Sequence, residues 1–127
     1  MCIRDRLNDD VIFTGQIDNK FMPSIHREAE VLVSPRLTGV NTPLKIYTYM
    51  DSEGLIVATD IYSHTQVLSE DCAILAKPNE QDFISALENA FEKDHQEKIN
   101  NAKNLVDTKY SIKRFNKEVV KLYKQLA

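Results

Sequence analysis

At 127 residues, 43% hydrophobic and 28% charged, the chain has the size of one domain or a piece of one, with enough apolar content for a packed core. A net charge of −3 repels nucleic acid rather than gathering it, so no nucleic-acid partner is expected. No apolar run approaches the roughly 20 residues of a membrane span, and Cys2 and Cys72 are too few and too far apart for a disulfide scaffold or a zinc cluster.

His26, His64 and His95 are scattered, none at ligand spacing from a cysteine or another histidine, so no metal and no cofactor is expected. The cysteine usage points to a reducing, cytoplasmic setting.

The first six residues, MCIRDR, are what the DNA string ATGTGTATAAGAGACAG encodes apart from its incomplete last codon. That string resembles a transposon end used in preparing sequencing libraries. Residues 1–6 are therefore expected to be a non-native leader, set aside from fold reasoning, with the natural gene beginning upstream. Beyond them, Val11 to Thr14 reads as a short strand closed by Gly15. "NKFMPSIHREAE" spaces Phe21, Met22, Ile25 and Ala29 as a helix does, with Pro23 in its first turn. Val31 to Ser34 is a continuous apolar run that suits a strand covered on both faces.

After the loop "PRLTGVNT" comes a helix from Pro43 to about Ser52, and then a second covered strand, "LIVAT". A short helix at "SHTQVLSE" and a third covered run, "AILAK", follow. Strands alternating with helices at this interval mean a parallel sheet with helices on its faces. The expectation is an α/β, partial Rossmann-like three-layer sheet of about four strands, with a helical C-terminal section. In that section Asn79 is the expected N-cap of a helix whose stripe holds Phe83, Leu87, Ala90 and Phe91. A polar helix, "HQEKINNAKNLVDT", comes next. A last helix starts from Ser111, with Ile112, Phe115, Val119, Leu122 and Leu126 on one face and Lys113, Arg114, Lys117, Lys121 and Lys124 on the other.

The helix from Pro43 carries the clearest binding signal. A rotation of about 100° per residue puts Pro43, Ile46, Tyr47 and Met50 on a core stripe, with Lys45, Thr48 and Ser52 opposite. Thr42 fits the N-cap and Pro43 the first helical position, leaving first-turn amides to face the Gly39–Asn41 loop. Such a helix start lies at the carboxyl edge of a parallel sheet and suits a phosphate. The plainer reading is a solvated Lys45 and a neutral surface Thr48. Spacing alone leaves both open.

The same residues carry a family likeness. "SPRLTGVNTPLKIYTYMDSEGLIVATD" resembles the donor-binding half of GT-B glycosyltransferases, especially the retaining, nucleotide-sugar-dependent enzymes called group one or family four. That pattern is a strand ending in Pro-Ser or Ser-Pro, a glycine loop, and a helix reading Pro-x-Lys-x-x-Glu-Tyr-Met-Ala. A small-Gly-x-Pro turn and a Val-Val-Ala-Thr-Asp strand complete it. Ser34, Pro35, Gly39, Pro43, Lys45, Tyr49, Met50 and Val57 to Asp60 match in order. The flanks "VIFTGQID", "HREAEVLVSP" and "AILAKPNEQDFISALENAF" agree as well, so the likeness runs from about Leu7 to Ala127.

The resemblance implies that residues 7–127 are a truncated donor-binding C-terminal domain. Its parent would transfer a sugar from a nucleotide-sugar donor to an acceptor, with an N-terminal acceptor domain of the same chain as partner. The donor diphosphate and ribose would then meet Gly39, Asn41, Thr42, the Leu44 amide, Lys45 and Thr48, with Gly15 and Gln16 near the base. No residue is implied as nucleophile or general base. Three departures stand out: Thr48 where the family helix has its ribose-binding glutamate, Glu53 and Leu55 for the glycine and proline of the turn, and Val40 for an earlier acid. They leave room for a second reading, a non-catalytic or degenerate nucleotide- or phosphate-binding module.

Other signals carry less. Asp60, Lys77 and the Asp9-Asp10 pair suggest a phosphoacceptor receiver only remotely, because the acids precede the first strand. His64 reads either as a ligand contact or as a loop histidine, Tyr47 as core and Tyr49 as a boundary residue. The last helix reads as an element docking on the neighbouring domain, in preference to a peripheral contact at the inner face of a membrane.

Overall fold

The computed structural model describes residues 9–126; the expected leader, residues 1–6, lies outside the described residues. A three-residue 3₁₀ turn (Asn19–Phe21) leads into helix α1 (Met22–Glu28), followed by β1 (Val31–Ser34), α2 (Lys45–Asp51) and β2 (Leu55–Thr59). Next come α3 (Tyr62–Thr65), β3 (Ile74–Ala76), α4 (Glu80–Glu92), α5 (Gln96–Lys109) and α6 (Ile112–Leu126). The strands form one parallel sheet in the order β1-β2-β3, with Val31 paired to Leu55 and Val57 to Ile74.

The α/β class and parallel sheet are those expected, but the sheet has three strands among the described residues, not four. Val11 to Thr14 forms no strand. Val11 is half-buried and the rest face water, Ile12 at 85% exposure and Phe13 at 59%. Apolar, β-branched residues make a strand only where a neighbour completes the ladder.

β2 is the middle strand and every one of its residues is buried. Ile56 and Ala58 point into a cluster with Ile46 and Met50 of α2, Leu68, Cys72 and Ala73, and Ala102 and Val106 of α5. Leu55 and Val57 point the other way, against Ile74, Ala76 and the Ala86 and Ala90 methyls of α4. Helices on both faces make three layers. Fully burying Ile56 is worth about 2–3 kcal/mol.

β1 alternates instead. Leu32 and Ser34 are buried while Val33 is open, so this edge strand is covered on one face only, against the expectation of two.

Several local features follow from the sequence. Asn79 caps α4, its Oδ1 accepting from the Asp82 amide at 2.9 Å. Ser111 does the same for α6 through the Arg114 amide, at 3.1 Å. On α4, Phe91 falls off the buried stripe and stands 66% exposed. Glu53 occupies the turn position where the family pattern has glycine, and its φ of +64° shows why glycine suits it. Leu55, in place of proline, donates its amide to the Glu30 carbonyl at 3.2 Å, a bond proline could not make.

No residue of α6 is buried among those described, although its apolar stripe is more pronounced than those of α4 and α5. Among the described residues no helix is long and apolar enough to cross a membrane.

Candidate functional site

The loop after β1 has no regular structure, yet hydrogen bonds fix its course. The Arg36 guanidinium donates from Nη1 to the Asn41 carbonyl at 3.0 Å. Gln66 Nε2, just past α3, donates to the Val40 carbonyl at 2.5 Å. The Thr59 hydroxyl, at the end of β2, donates to the Arg36 carbonyl in a short contact. Gly39 has φ +137°, and a Cβ built there would collide with the Arg36 guanidinium. The backbone angle requires glycine, while the Arg36 side chain lying over it would have to move aside for any larger residue.

Behind the loop sits a buried polar group. Ser34, Thr59 and His64 are almost wholly shielded from water. His64 Nε2 lies 2.9 Å from Ser34 Oγ, and Nδ1 lies 2.8 Å from the Thr59 carbonyl. A carbonyl only accepts, so Nδ1 carries the proton and Nε2 accepts from the serine hydroxyl. Burial pushes the imidazole below its ordinary value, the Thr59 carbonyl pulls it back, and the charges of Lys45 and Arg36 push it down further. His64 is a neutral internal strut. It is neither the ligand contact nor the loop residue considered from sequence.

Lys45 opens α2, with Nζ 5.8 Å from the centre of the Tyr49 ring. Partial burial, and after it the Arg36 guanidinium, hold its ammonium below the ordinary lysine value. The ion pairs among the described residues are Lys103 with Asp51 and Asp107, and Arg114 with Glu118. Neither Arg36 nor Lys45 has such a partner. A lysine held below its usual value by burial and a nearby guanidinium, with no acidic partner for either among the described residues, is an arrangement that suits an anion.

Beside them an open groove of about 720 Å³ runs along the outer side of α2, between α1 and the α5–α6 junction. Lys45, Thr48 and Ser52 line it, as do His26 and the Tyr47–Tyr110 pair. His26 is buried, and its Nδ1 has no hydrogen-bond partner among the described residues. The tyrosines exchange the roles expected of them. Tyr49 packs on the core with its hydroxyl donating to the Val33 carbonyl, while Tyr47 stacks edge-on with Tyr110 in the groove wall.

The expected site residues divide accordingly. Gly39 and Asn41 shape the Arg36 loop, Thr48 lines the groove, and Lys45 belongs to both. The helix start differs from expectation. Thr42 is no N-cap and Pro43 is not the first helical residue, since α2 begins at Lys45 with Leu44 before it and no side-chain cap. Bonds from Ile46 to the Pro43 carbonyl and from Tyr47 to the Leu44 carbonyl form a tighter entry turn instead. The Leu44 side chain is 83% exposed. Thr48 Oγ1 donates to the Lys45 carbonyl at 2.8 Å, so toward a ligand it has only acceptor capacity left.

Arg36 and His26 were not foreseen. For Arg36 a signal existed: from Val31 to Met50 the sequence carries Arg36 and Lys45 and not one acidic residue.

Solved structures of the same fold exist. The chain matches sucrose-phosphate synthase from Thermosynechococcus elongatus with a TM-score of 0.81 at 21% identity, over 95% of this chain and 31% of that one. It also matches the C-terminal domain of a glycosyl transferase group 1 family protein (LpcC) from Francisella tularensis, with a TM-score of 0.73 at 22% identity, over 86% of this chain and 59% of that one. At such identities the likeness defines the fold, that of a GT-B glycosyltransferase domain, and the chain spans less than two thirds of either solved chain. Among curated proteins none matches in sequence. The family profile described as glycosyl transferases group 1 matches residues 2–93. The chain belongs to that family.

Proposed function

We propose that the protein transfers a sugar from a nucleotide-sugar donor to an acceptor, this chain supplying part of the donor diphosphate and ribose site. The observation that carries the reading is the pair of cations without counter-charge, Arg36 and Lys45, at the carboxyl edge of a parallel sheet. When the sugar leaves, negative charge accumulates on the departing diphosphate. Fixed cations aimed at that charge stabilise the transition state more than the ground state. In this reading Gly39, Asn41 and Thr42 shape the diphosphate pocket with the Leu44 amide, and Thr48 accepts from a ribose hydroxyl. Charge neutralisation falls to the two side chains, so the reading calls on no metal or other cofactor.

The acceptor site and the groups that act on the acceptor belong, in this reading, to an N-terminal domain facing the groove. The open stripe of α6 is the surface on which that domain docks, which accounts for its apolar residues without any lipid. Turnover of UDP- or GDP-sugars by the two-domain protein, lost on Lys45→Ala, is the expected result. Donor binding without turnover across a donor panel would favour the non-catalytic module, which the neutral Thr48, already bonded to its own helix, permits.

A further inference from the structure

We propose that Thr59 and His64 are positioning residues for the Arg36 guanidinium, a buried relay that fixes the loop carrying it. The relay can be followed atom by atom. Ser34 Oγ–H donates to His64 Nε2, and His64 Nδ1–H donates to the Thr59 carbonyl. Thr59 Oγ1–H donates to the Arg36 carbonyl, and Arg36 Nη1–H donates to the Asn41 carbonyl. Every donor points the same way along the chain of bonds. The path leaves the end of β1, passes through α3 and the end of β2, and returns to the loop at Arg36. Pro35, between Ser34 and Arg36, is therefore held on both sides.

The placement of the relay argues for more than stability. Ser34 and His64 are buried at 0% exposure, and Thr59 at 2%, whereas Arg36 lies open to solvent. An exposed arginine ordinarily samples many rotamers, and an anion that binds it must freeze them. Here the backbone at Arg36 is tied to the core through Thr59. Its guanidinium lies over Gly39, in space that a Cβ there would contest, and donates to the Asn41 carbonyl. Part of the ordering is complete before any ligand arrives. The charged groups that act on His64 are Arg36 and Lys45, both positive, so no carboxylate favours the imidazolium that would unsettle the relay.

Thr59→Val is the discriminating variant. It keeps the β-branched shape and the carbonyl that receives His64, and deletes the hydroxyl that donates to the Arg36 carbonyl and also lies 3.1 Å from His64 Nδ1. Hydrogen exchange of the amides between residues 36 and 41 should accelerate in Thr59→Val and in His64→Gln, and return to the native rate in Thr59→Ser. Unchanged protection of those amides in both Thr59→Val and His64→Gln overturns the proposal. The effect on anion affinity rests on the donor-site reading and is measured with inorganic pyrophosphate by calorimetry. Thr59→Val should weaken binding about threefold to tenfold, the effect of one hydrogen bond, and should change it less than about twofold in an Arg36→Ala background. An equal loss with and without the Arg36 side chain also overturns the proposal. If exchange responds while the native chain fails to bind pyrophosphate, the donor-site reading falls and the positioning role stands.

Discussion

Lys45→Ala should weaken the binding of a nucleoside diphosphate while leaving the free protein as stable as before, or slightly more so. The two effects share one cause. In the free protein the Lys45 ammonium is partly buried and repelled by Arg36, which is why its proton is held less tightly than usual. Removing the ammonium relieves that repulsion, a gain of a few tenths of a kcal/mol for charges in contact with solvent. A bound diphosphate turns the same proximity into an advantage, because both cations face one anion. A hydrogen bond to a charged group is worth about 1.5–3 kcal/mol when shielded. Lys45 is only partly shielded and most of its side chain meets solvent, so screening reduces this to about 1 kcal/mol, roughly fivefold in Kd.

Calorimetry with UDP and GDP measures the affinity, at low salt and again at several hundred millimolar, where screening over a few Å should erase most of the difference. Lys121→Ala is the control, since Lys121 lies on the polar face of α6. Equal losses for the two variants would refute the placement of the site. A clear drop in melting temperature for Lys45→Ala would refute the repulsion argument, because it would make Lys45 a structural residue.

Other consequences can be measured separately. Glu53→Gly should raise stability by about 1 kcal/mol, or about 4 °C in melting temperature, since Glu53 sits at φ +64° where a side chain clashes with its own backbone; an unchanged or lower melting temperature would remove that cost. His64→Gln should flatten the acid side of the stability profile. The folded protein holds the His64 imidazole below 6.5 while the unfolded chain protonates near 6.5, so native stability is complete above that pH. It declines as pH falls from there toward the lowered folded value, by about 1.4 kcal/mol for each unit between the two. Urea titrations across that range should show the decline in the native chain and little of it in the variant, and an identical slope in both would acquit His64. Thr48→Glu should tighten UDP or GDP binding severalfold by offering the ribose a charged acceptor; an unchanged Kd would place the ribose away from α2.

The sheet and its helices were legible because periodicity reports burial. β2 is apolar at every position and proves to be covered on both faces, and the α4 and α6 caps follow from single side chains at the expected offsets. Where reading failed, the deciding interaction was not local. Val11 to Thr14 has strand composition, but a strand also needs a paired neighbour, which composition does not encode. The Thr42-Pro43 pair is a favourable helix opening, yet the chain makes a tighter turn first and opens the α-helix at Lys45. Tyr47 and Tyr49 were assigned by a helical wheel centred on the sheet, whereas the α5–α6 junction supplies a second wall that Tyr47 faces. Lys45 could be singled out because it sits at fixed spacing from Pro43 and Met50. Arg36 lies in a loop without periodicity, and only the lack of acids around it pointed to a role.

The central strand explains why a loop without regular structure can present charge precisely. β2 is the best-buried element, and its last residue, Thr59, spends its hydroxyl on the loop and its carbonyl on His64. A hydroxyl at this position has little freedom, because the strand on which it sits cannot shift without opening both hydrophobic layers. The loop is therefore as well placed as the core to which it is bonded. α6 presents the opposite case, with an apolar stripe and five cations but no buried residue to fix it among those described. In the proposed reading the feature tied to the core is a preorganised ligand site, and the feature left untied is ordered by a partner surface. Substitutions near Thr59 should thus alter affinity for the donor, whereas substitutions on the α6 stripe should alter only the joining of domains.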